Sequence, residues 1–267
     1  MEIPDQNPLR RMIGRLNANA RARIGRIQPK LALFVLMPTL ALAVGDANSA
    51  LLLAVRSSNT DAVKAELSRG ADVNEPDQTG TTALMYSTYY GFAKMEIVLA
   101  LLRNGANVNA QDKNGLTALM LAAGGKGGSD SDKIVKALLD KGADPNLKTS
   151  QGRTALMEAI QPSLGKPRVE IVRALLLKRA DPNTRISGGA TVLMVASRDG
   201  DSAIVKALLE YGADAQAGDW EADAEGSSWC SGSLEWAEGH PDILKMLSDK
   251  GATSKPRCKP VSRHRSL

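Results

Sequence analysis

Nucleophilic or zinc chemistry in this chain of 267 residues would have to be assembled from two cysteines, Cys230 and Cys258, and two histidines, His240 and His264. A serine or cysteine nucleophile needs a base within hydrogen-bond reach, and the spacing of these histidines supplies none. His264 stands in a basic terminal stretch and His240 in the turn "EGHPD". Two cysteines with these histidines match no familiar zinc spacing. In an oxidising compartment the two thiols can instead pair with each other, tying the end of the chain to its body.

Other motifs with chemical potential are equally incomplete. The stretch "GGKGGSDSD" (124–132) follows no strand and lacks the G-x-x-x-x-G-K-[ST] order by which backbone amides cradle phosphate. Glu221, Asp223, Glu225 and Gly226 imitate the opening of a calcium loop, but the closing position is Gly232 instead of a bidentate Glu. The segment "AGDWEADAEGSSWCSGS" (217–233) therefore reads as an enlarged acidic loop, with Trp220 and Trp229 making it a contact loop or a lid over the last unit. Met85, Met120, Met157 and Met194 are read as core packing rather than as a metal or oxidant-sensing stripe. Carboxylates are scattered, and no acid/base pair stands out. No catalytic, cofactor or metal residue is assigned, and the chain is not read as an enzyme.

The methionines belong to a repeat. "TALM" occurs at 82–85, 117–120 and 154–157, with "TVLM" at 191–194. Aligned on the first residue, the copies begin at Ser49, Thr82, Thr117, Thr154 and Thr191, spaced 33, 35, 37 and 37 residues apart. A second signature keeps the same period: "GADVN" from Gly70, "GANVN" from Gly105, "GADPN" from Gly142, "RADPN" from Arg179, "GADAQ" from Gly212 and "GAT" from Gly251. A Thr at a helix start can accept a hydrogen bond from an unpaired backbone N–H. A Gly after a Leu-rich run ends a helix in the left-handed region without steric cost. Arg179 breaks that rule.

Both signatures, in this order, resemble the ankyrin repeat, whose unit reads G-x-T-P-L-H-x-A-A, a Gly-His turn, a second helix ending in Leu-Leu, and G-A-D-x-N. The resemblance covers about residues 48–253. It implies an all-α solenoid of stacked antiparallel helix pairs joined by hairpin loops, with a function in protein recognition. His240 matches the family's Gly-His turn. This chain departs from the family by having Ala and Met where T-P-L-H has Pro and His. It also carries longer turns between the two helices of its second, third and fourth units. Interior second helices end in Leu pairs (Leu101-Leu102, Leu138-Leu139, Leu175-Leu176, Leu208-Leu209). The first unit has Glu66 in the earlier place and the last has Ser248 in the later place, as expected of end caps without a neighbour. Six helix pairs are counted.

The net charge of +5 sits at the two ends. Residues 1–45 hold seven bases and two acids, residues 254–267 hold five bases and no acid, and 46–253 carry 22 bases against 27 acids. The folded body is therefore acidic, which gives no support to nucleic-acid binding. Arginines from Arg10 to Arg26 and Lys30 precede "LALFVLMPTLALAVG", followed by small residues, which is the order of an export signal. Leu31 to Val44 would span about 21 Å as a helix against a hydrocarbon core of roughly 30 Å, short for a membrane span. The chain is divided into 1–45, a signal peptide or N-terminal anchor; 46–253, the repeat domain; and 254–267, a basic flexible tail. The location read from this is periplasm or cell envelope, with an inner-membrane anchor at 31–44 as the alternative.

Partners of ankyrin repeats usually dock on the concave face of hairpin tips and first-helix ends. Carried onto this sequence, that implies Tyr89, Tyr90, Gln161, Arg198 and Asp199 at the helix ends. At the tips it implies Gln78, Thr79, Lys113, Asn114, Gln151, Arg153 and Ser187. Tyr89-Tyr90 is the sharpest of these, because tyrosine is an efficient interface anchor and aromatics are only 3% of the chain. The function expected is a monomeric, non-catalytic protein-binding module. The alternative is an envelope protein that holds membrane or polyanions through residues 31–44 or the tail.

Overall fold

The computed structural model of the chain describes residues 50–89, 94–125, 130–160, 168–185, 189–222 and 228–258. All of them lie in the unit Asn48–Leu267. The signal or anchor at 1–45 falls outside the described residues, as do Tyr90, Gln161, Ser187, the centres of the two long turns and residues 259–267. Among the described residues no helix is long and apolar enough to cross a membrane.

Among the described residues twelve helices follow one another in six antiparallel pairs: α1 (Ala50–Arg56) with α2 (Thr60–Ser68), α3 (Ala83–Ser87) with α4 (Met95–Arg103), α5 (Ala118–Ala123) with α6 (Ser131–Asp140), α7 (Ala155–Ile160) with α8 (Val169–Leu177), α9 (Val192–Arg198) with α10 (Ser202–Glu210), and α11 (Ser233–Trp236) with α12 (Pro241–Asp249). The architecture is the all-α solenoid expected. First helices pack on first helices and second on second, so one apolar core runs the length of the array.

Each "TALM" begins a helix for the reason its Thr suggests. The Oγ1 atoms of Thr82, Thr117, Thr154 and Thr191 accept from the backbone N–H of Met85, Met120, Met157 and Met194 at 3.4, 3.2, 3.5 and 3.2 Å. The four methionines are themselves buried. In the Leu pairs the earlier member is fully enclosed: Leu101, Leu138, Leu175 and Leu208 each show 0% exposure. Their first-unit counterpart, Glu66, is instead ion-paired to Arg69. In the last unit Leu247 is buried while Ser248 is exposed. Each terminal pair has thus become polar on the side that lacks a neighbour.

The second signature joins the units. The side-chain amide of Asn74 donates to the carbonyl of Gly105 (3.2 Å), and its oxygen accepts from the N–H of Asn107 (2.7 Å). Asn109 repeats the clamp on Gly142 and Asp144, Asn146 on Arg179 and Asp181, and Asn183 on Gly212 and Asp214. Within each turn a side chain two residues before the clamp holds its backbone: Asp72, Asn107, Asp144 and Asp181 accept from the N–H of Asn74, Asn109, Asn146 and Asn183. A full clamp offers two hydrogen bonds of about 1 kcal/mol each.

Residues 217–222 and 228–232 form strands where the sequence reads as a solvated loop. They make a hairpin of β1 (Ala217–Ala222) and β2 (Ser228–Gly232), antiparallel, with Trp220 opposite Cys230 and Glu221 opposite Trp229. A third strand, β3 (Arg257–Cys258), runs parallel to β1 on its other edge, giving the order β2-β1-β3. Arg257 and Cys258, which the sequence placed in the flexible tail, are instead held by backbone pairing to β1. Residues 223–227, which hold three of the four residues of the calcium-loop imitation, lie outside the described residues.

Arg179 is the exception in the helix-ending row. Gly70, Gly105, Gly142, Gly212 and Gly251 have φ between +83° and +89°, and Arg179 has φ +66°. A Cβ at any of those five glycines would meet nothing within 4 Å, so the cost at this position is in the backbone alone. Arg179→Gly should therefore stabilise the protein by about 1 kcal/mol, and Gly142→Ala should destabilise it by a similar amount. Chemical denaturation of the two variants against the wild type measures both, and an unchanged or lower midpoint for Arg179→Gly would refute the account.

Candidate partner-binding surface

The hairpin tips are built so that their polar groups close their own turns. Asp77 Oδ1 accepts from the N–H of Thr79 (2.8 Å) and of Thr81 (3.0 Å), and from the Thr79 hydroxyl (2.6 Å). Asp112 holds the N–H of Asn114 and of Leu116, both at 2.8 Å, in the next tip. Thr149 Oγ1 accepts from the N–H of Arg153 in the third. Adjacent tips are then stitched backbone to backbone, Lys113 N–H to Thr79 O (3.0 Å) and Ser150 N–H to Asn114 O (2.8 Å). With the turn closed by its own residues, Gln78, Thr79, Lys113, Asn114 and Gln151 stand exposed on one continuous edge.

On the first helices, most side chains are committed to the core. The fourth residue after each helix-starting position is where the copies diverge: Leu53, Tyr86, Leu121, Glu158, Val195 and Trp236. The seventh residue diverges too: Arg56, Tyr89, Gly124, Gln161, Arg198 and Gly239. At three junctions the structure brings a residue of the second row diagonally against one of the first in the next unit. The Arg56 guanidinium lies over the Tyr86 ring, 5.3 Å from its centroid, and Arg198 lies over Trp236 at 5.4 Å. In the middle of the array the same diagonal puts Gly124 beside Glu158, where a Cβ would come within 3.4 Å of Glu158 Oε2. Glu158 is 8% exposed and takes its partner from the hairpin, with Arg153 Nε 2.6 Å from Oε1.

The residues implied at the sequence level therefore divide. Tyr89 is half-buried and packs against the core. Arg198 and Asp199 are exposed and ion-paired at 2.9 Å. Arg153 points at Glu158 and links the tip to the helix face. Tyr90, Gln161 and Ser187 fall outside the described residues. Cys230 and Cys258 are bonded, with Cα atoms 5.8 Å apart.

Three groups on this face were missed at the sequence level: Tyr86 with Asp77, Glu158, and Trp236. Tyr86, Glu158 and Trp236 all stand four residues after a helix start, one turn before the helix-end positions to which the family pattern points, and their divergence between copies is the signal in the sequence. Tyr86 donates its hydroxyl to Asp77 Oδ2 at 2.6 Å. Burial pushes the Asp77 carboxyl up, but hydrogen bonds from the Thr79 and Tyr86 hydroxyls and from the Thr81 and Thr79 amides outweigh it and hold the group below the usual carboxylate range. Tyr86 is pushed up to about 12 by burial first and then by its bond to, and the charge of, Asp77, with Arg56 pulling the other way.

The family model described as "Ankyrin repeats (3 copies)" matches the chain over residues 35–112, 92–186 and 163–257. No curated protein matches the chain significantly.

Folding holds the Tyr86 hydroxyl neutral past the pH near 10 at which an ordinary tyrosine ionises. Its bond contributes fully below that pH and is lost as pH rises toward 12. Tyr86→Phe should cost about 1 kcal/mol at neutral pH. Urea unfolding of wild type and variant should converge between pH 10 and 12. Curves that stay parallel through that range would show that the hydroxyl does not make this bond.

Proposed function

The chain belongs to the ankyrin-repeat family, and from that premise we propose that it is a non-catalytic protein-binding module. It acts as a monomer, and its concave face of hairpin tips and first-helix ends receives a protein partner in the periplasm or cell envelope. Ankyrin repeats are general protein-interaction modules, so the specific content of the proposal is the site and the compartment.

The observation that carries the site is the diagonal register of unlike side chains on a uniform frame. Asparagine clamps join the first five units in one pattern, and the Thr caps recur in the second to the fifth. The side chains beside them change from Arg56 on Tyr86, through Gly124 beside Glu158, to Arg198 on Trp236. Large aromatic and arginine side chains are the usual anchors of protein interfaces, and here each is held in one orientation by its neighbour. The compartment is supported by the basic-then-apolar order of residues 10–45 and by a disulfide, which persists where the surroundings are oxidising. A polyanion-binding tail is the weaker reading, because the Arg257 guanidinium already meets both carboxylate oxygens of Asp214 at 2.9 and 3.0 Å.

The test is affinity purification from the envelope fraction with full-length wild type, a Lys113→Glu/Arg198→Glu double variant and Tyr90→Ala. The variants should keep the melting temperature and lose the partner by at least about tenfold in affinity, close to 1.4 kcal/mol. A charge-reversed protein that binds as tightly as wild type removes this face from the interaction. Sequencing the N-terminus of the purified protein tests the compartment: a chain that begins at Met1 or Met12 sinks the cleaved signal.

A further inference from the structure

The sixth helix pair has less holding it than the others. Helix α11 has four residues, whereas the other first helices have five to seven. Its N-cap is Gly232, so the Thr cap of the second to fifth units is replaced by a single bond from the Gly232 N–H to Glu235 Oε2 (2.8 Å). Helix α12 buries Ile243 and Leu247, whereas the interior second helices α4, α6, α8 and α10 each bury at least four side chains; α2, in the other terminal pair, buries Val63 but is joined to an α1 that buries four. The clamp that joins it to the fifth pair is made by Gln216, whose amide donates to the carbonyl of Gly251.

What this pair has in addition is the segment that follows it. Strand β3 returns to cover the edge of β1, with the Arg257 N–H on Gln216 O (2.7 Å) and Ala217 and Gly218 opposite Arg257 and Cys258. The ring of Pro256 lies across the hairpin between two glycines, at which a Cβ would come within 2.8 Å of it at Gly218 and 2.7 Å at Gly232. Those two positions admit no side chain while Pro256 is seated. Arg257 is fixed by Asp214 at the root of the hairpin. The Cys230–Cys258 bond then locks β3 to β2 across a separation of 28 residues, and both cysteines are half-buried rather than enclosed.

We propose that residues 254–258 are a covalent clasp for the sixth repeat, and that thiol–disulfide exchange at Cys230–Cys258 opens it. The reductant is a dithiol. One of its thiolates attacks a sulfur of the pair, displaces the other cysteine as a thiolate and forms a mixed disulfide. Its second thiol then closes the donor's own disulfide and releases the remaining cysteine. Two electrons and two protons pass to the protein, and both of its cysteines end as thiols. With the bond closed, β3 covers the edge of β1. With it open, β1 is left with an unpaired strand edge and the basic stretch from Lys255 onward is released together with the terminal helix pair.

The experiment is hydrogen exchange read by mass spectrometry on the full-length protein, oxidised and after dithiothreitol, with Cys258→Ser as a third arm. Reduction should cut protection of residues 217–222 and 228–249 by roughly a few hundredfold, the scale of losing a cross-link over a loop of this size. Residues 83–176 should be unaffected, Cys258→Ser should match the reduced protein, and reoxidation should restore the wild type. Unchanged protection after reduction would overturn the proposal, as would a loss spread evenly over all six pairs. Because the reduced arm starts from folded wild type, the outcome stands even if Cys258→Ser does not accumulate.

Discussion

The side-chain amide of Asn146 lies between two repeats, donating to the carbonyl of Arg179 and accepting from the N–H of Asp181. That junction recurs at Asn74, Asn109 and Asn183, and the fold depends on it because no unit can stand alone. The first helices have four to seven residues, well below the length at which an isolated helix persists in water. They exist because each buries its apolar side chains against the next helix, and the asparagine fixes the distance and angle at which the next one arrives. Burial supplies the energy without direction, and the hydrogen bonds supply the direction.

Because the frame is held from inside, its outer face is free to vary. Asp77, Asp112 and Thr149 hold the hairpin backbones, so the residue types at the exposed tip positions Gln78, Lys113, Asn114 and Gln151 can differ from unit to unit. On the first helices the buried leucine two residues after each start recurs at Leu51, Leu84, Leu119, Leu156 and Leu193, whereas the fourth and seventh positions change from copy to copy. A surface of this kind presents Arg56 on Tyr86 and Arg198 on Trp236 without conformational search by either. Restricting the side chains beforehand reduces the entropy lost when a partner docks.

The ends of the array meet the same constraint differently. At the N-terminal end, Glu66 stands where interior units have a buried leucine and pairs with Arg69. At the C-terminal end Ser248 makes the outer side polar, but a short helix and a Gln in place of the clamp leave the last pair with fewer bonds of its own. There the chain adds a strand, a stacked proline and a disulfide. A solenoid is only as cooperative as its weakest junction, so the stability of the sixth pair is decided by residues beyond the last repeat signature.

The sequence by itself determined the period, the helix starts, the helix ends and the number of pairs, because these depend on local chemistry that recurs in register. A Thr hydroxyl three residues before a Met amide, a Gly after a Leu-rich run and a polar residue at a terminal Leu position each act within one or two turns of chain. Arg179 was legible as an exception for the same reason. What only the tertiary structure decided is which unlike residues meet. That Arg56 stacks on Tyr86, that Arg153 reaches Glu158, and that Arg257 pairs with Asp214 are contacts between positions 30, 5 and 43 residues apart. The third strand on the hairpin was hidden because Arg257–Cys258, which pairs with β1, lies beyond the last repeat signature. Spacing along a chain fixes neighbours along a helix, whereas contact across units is set by the stacking geometry, which no single segment contains.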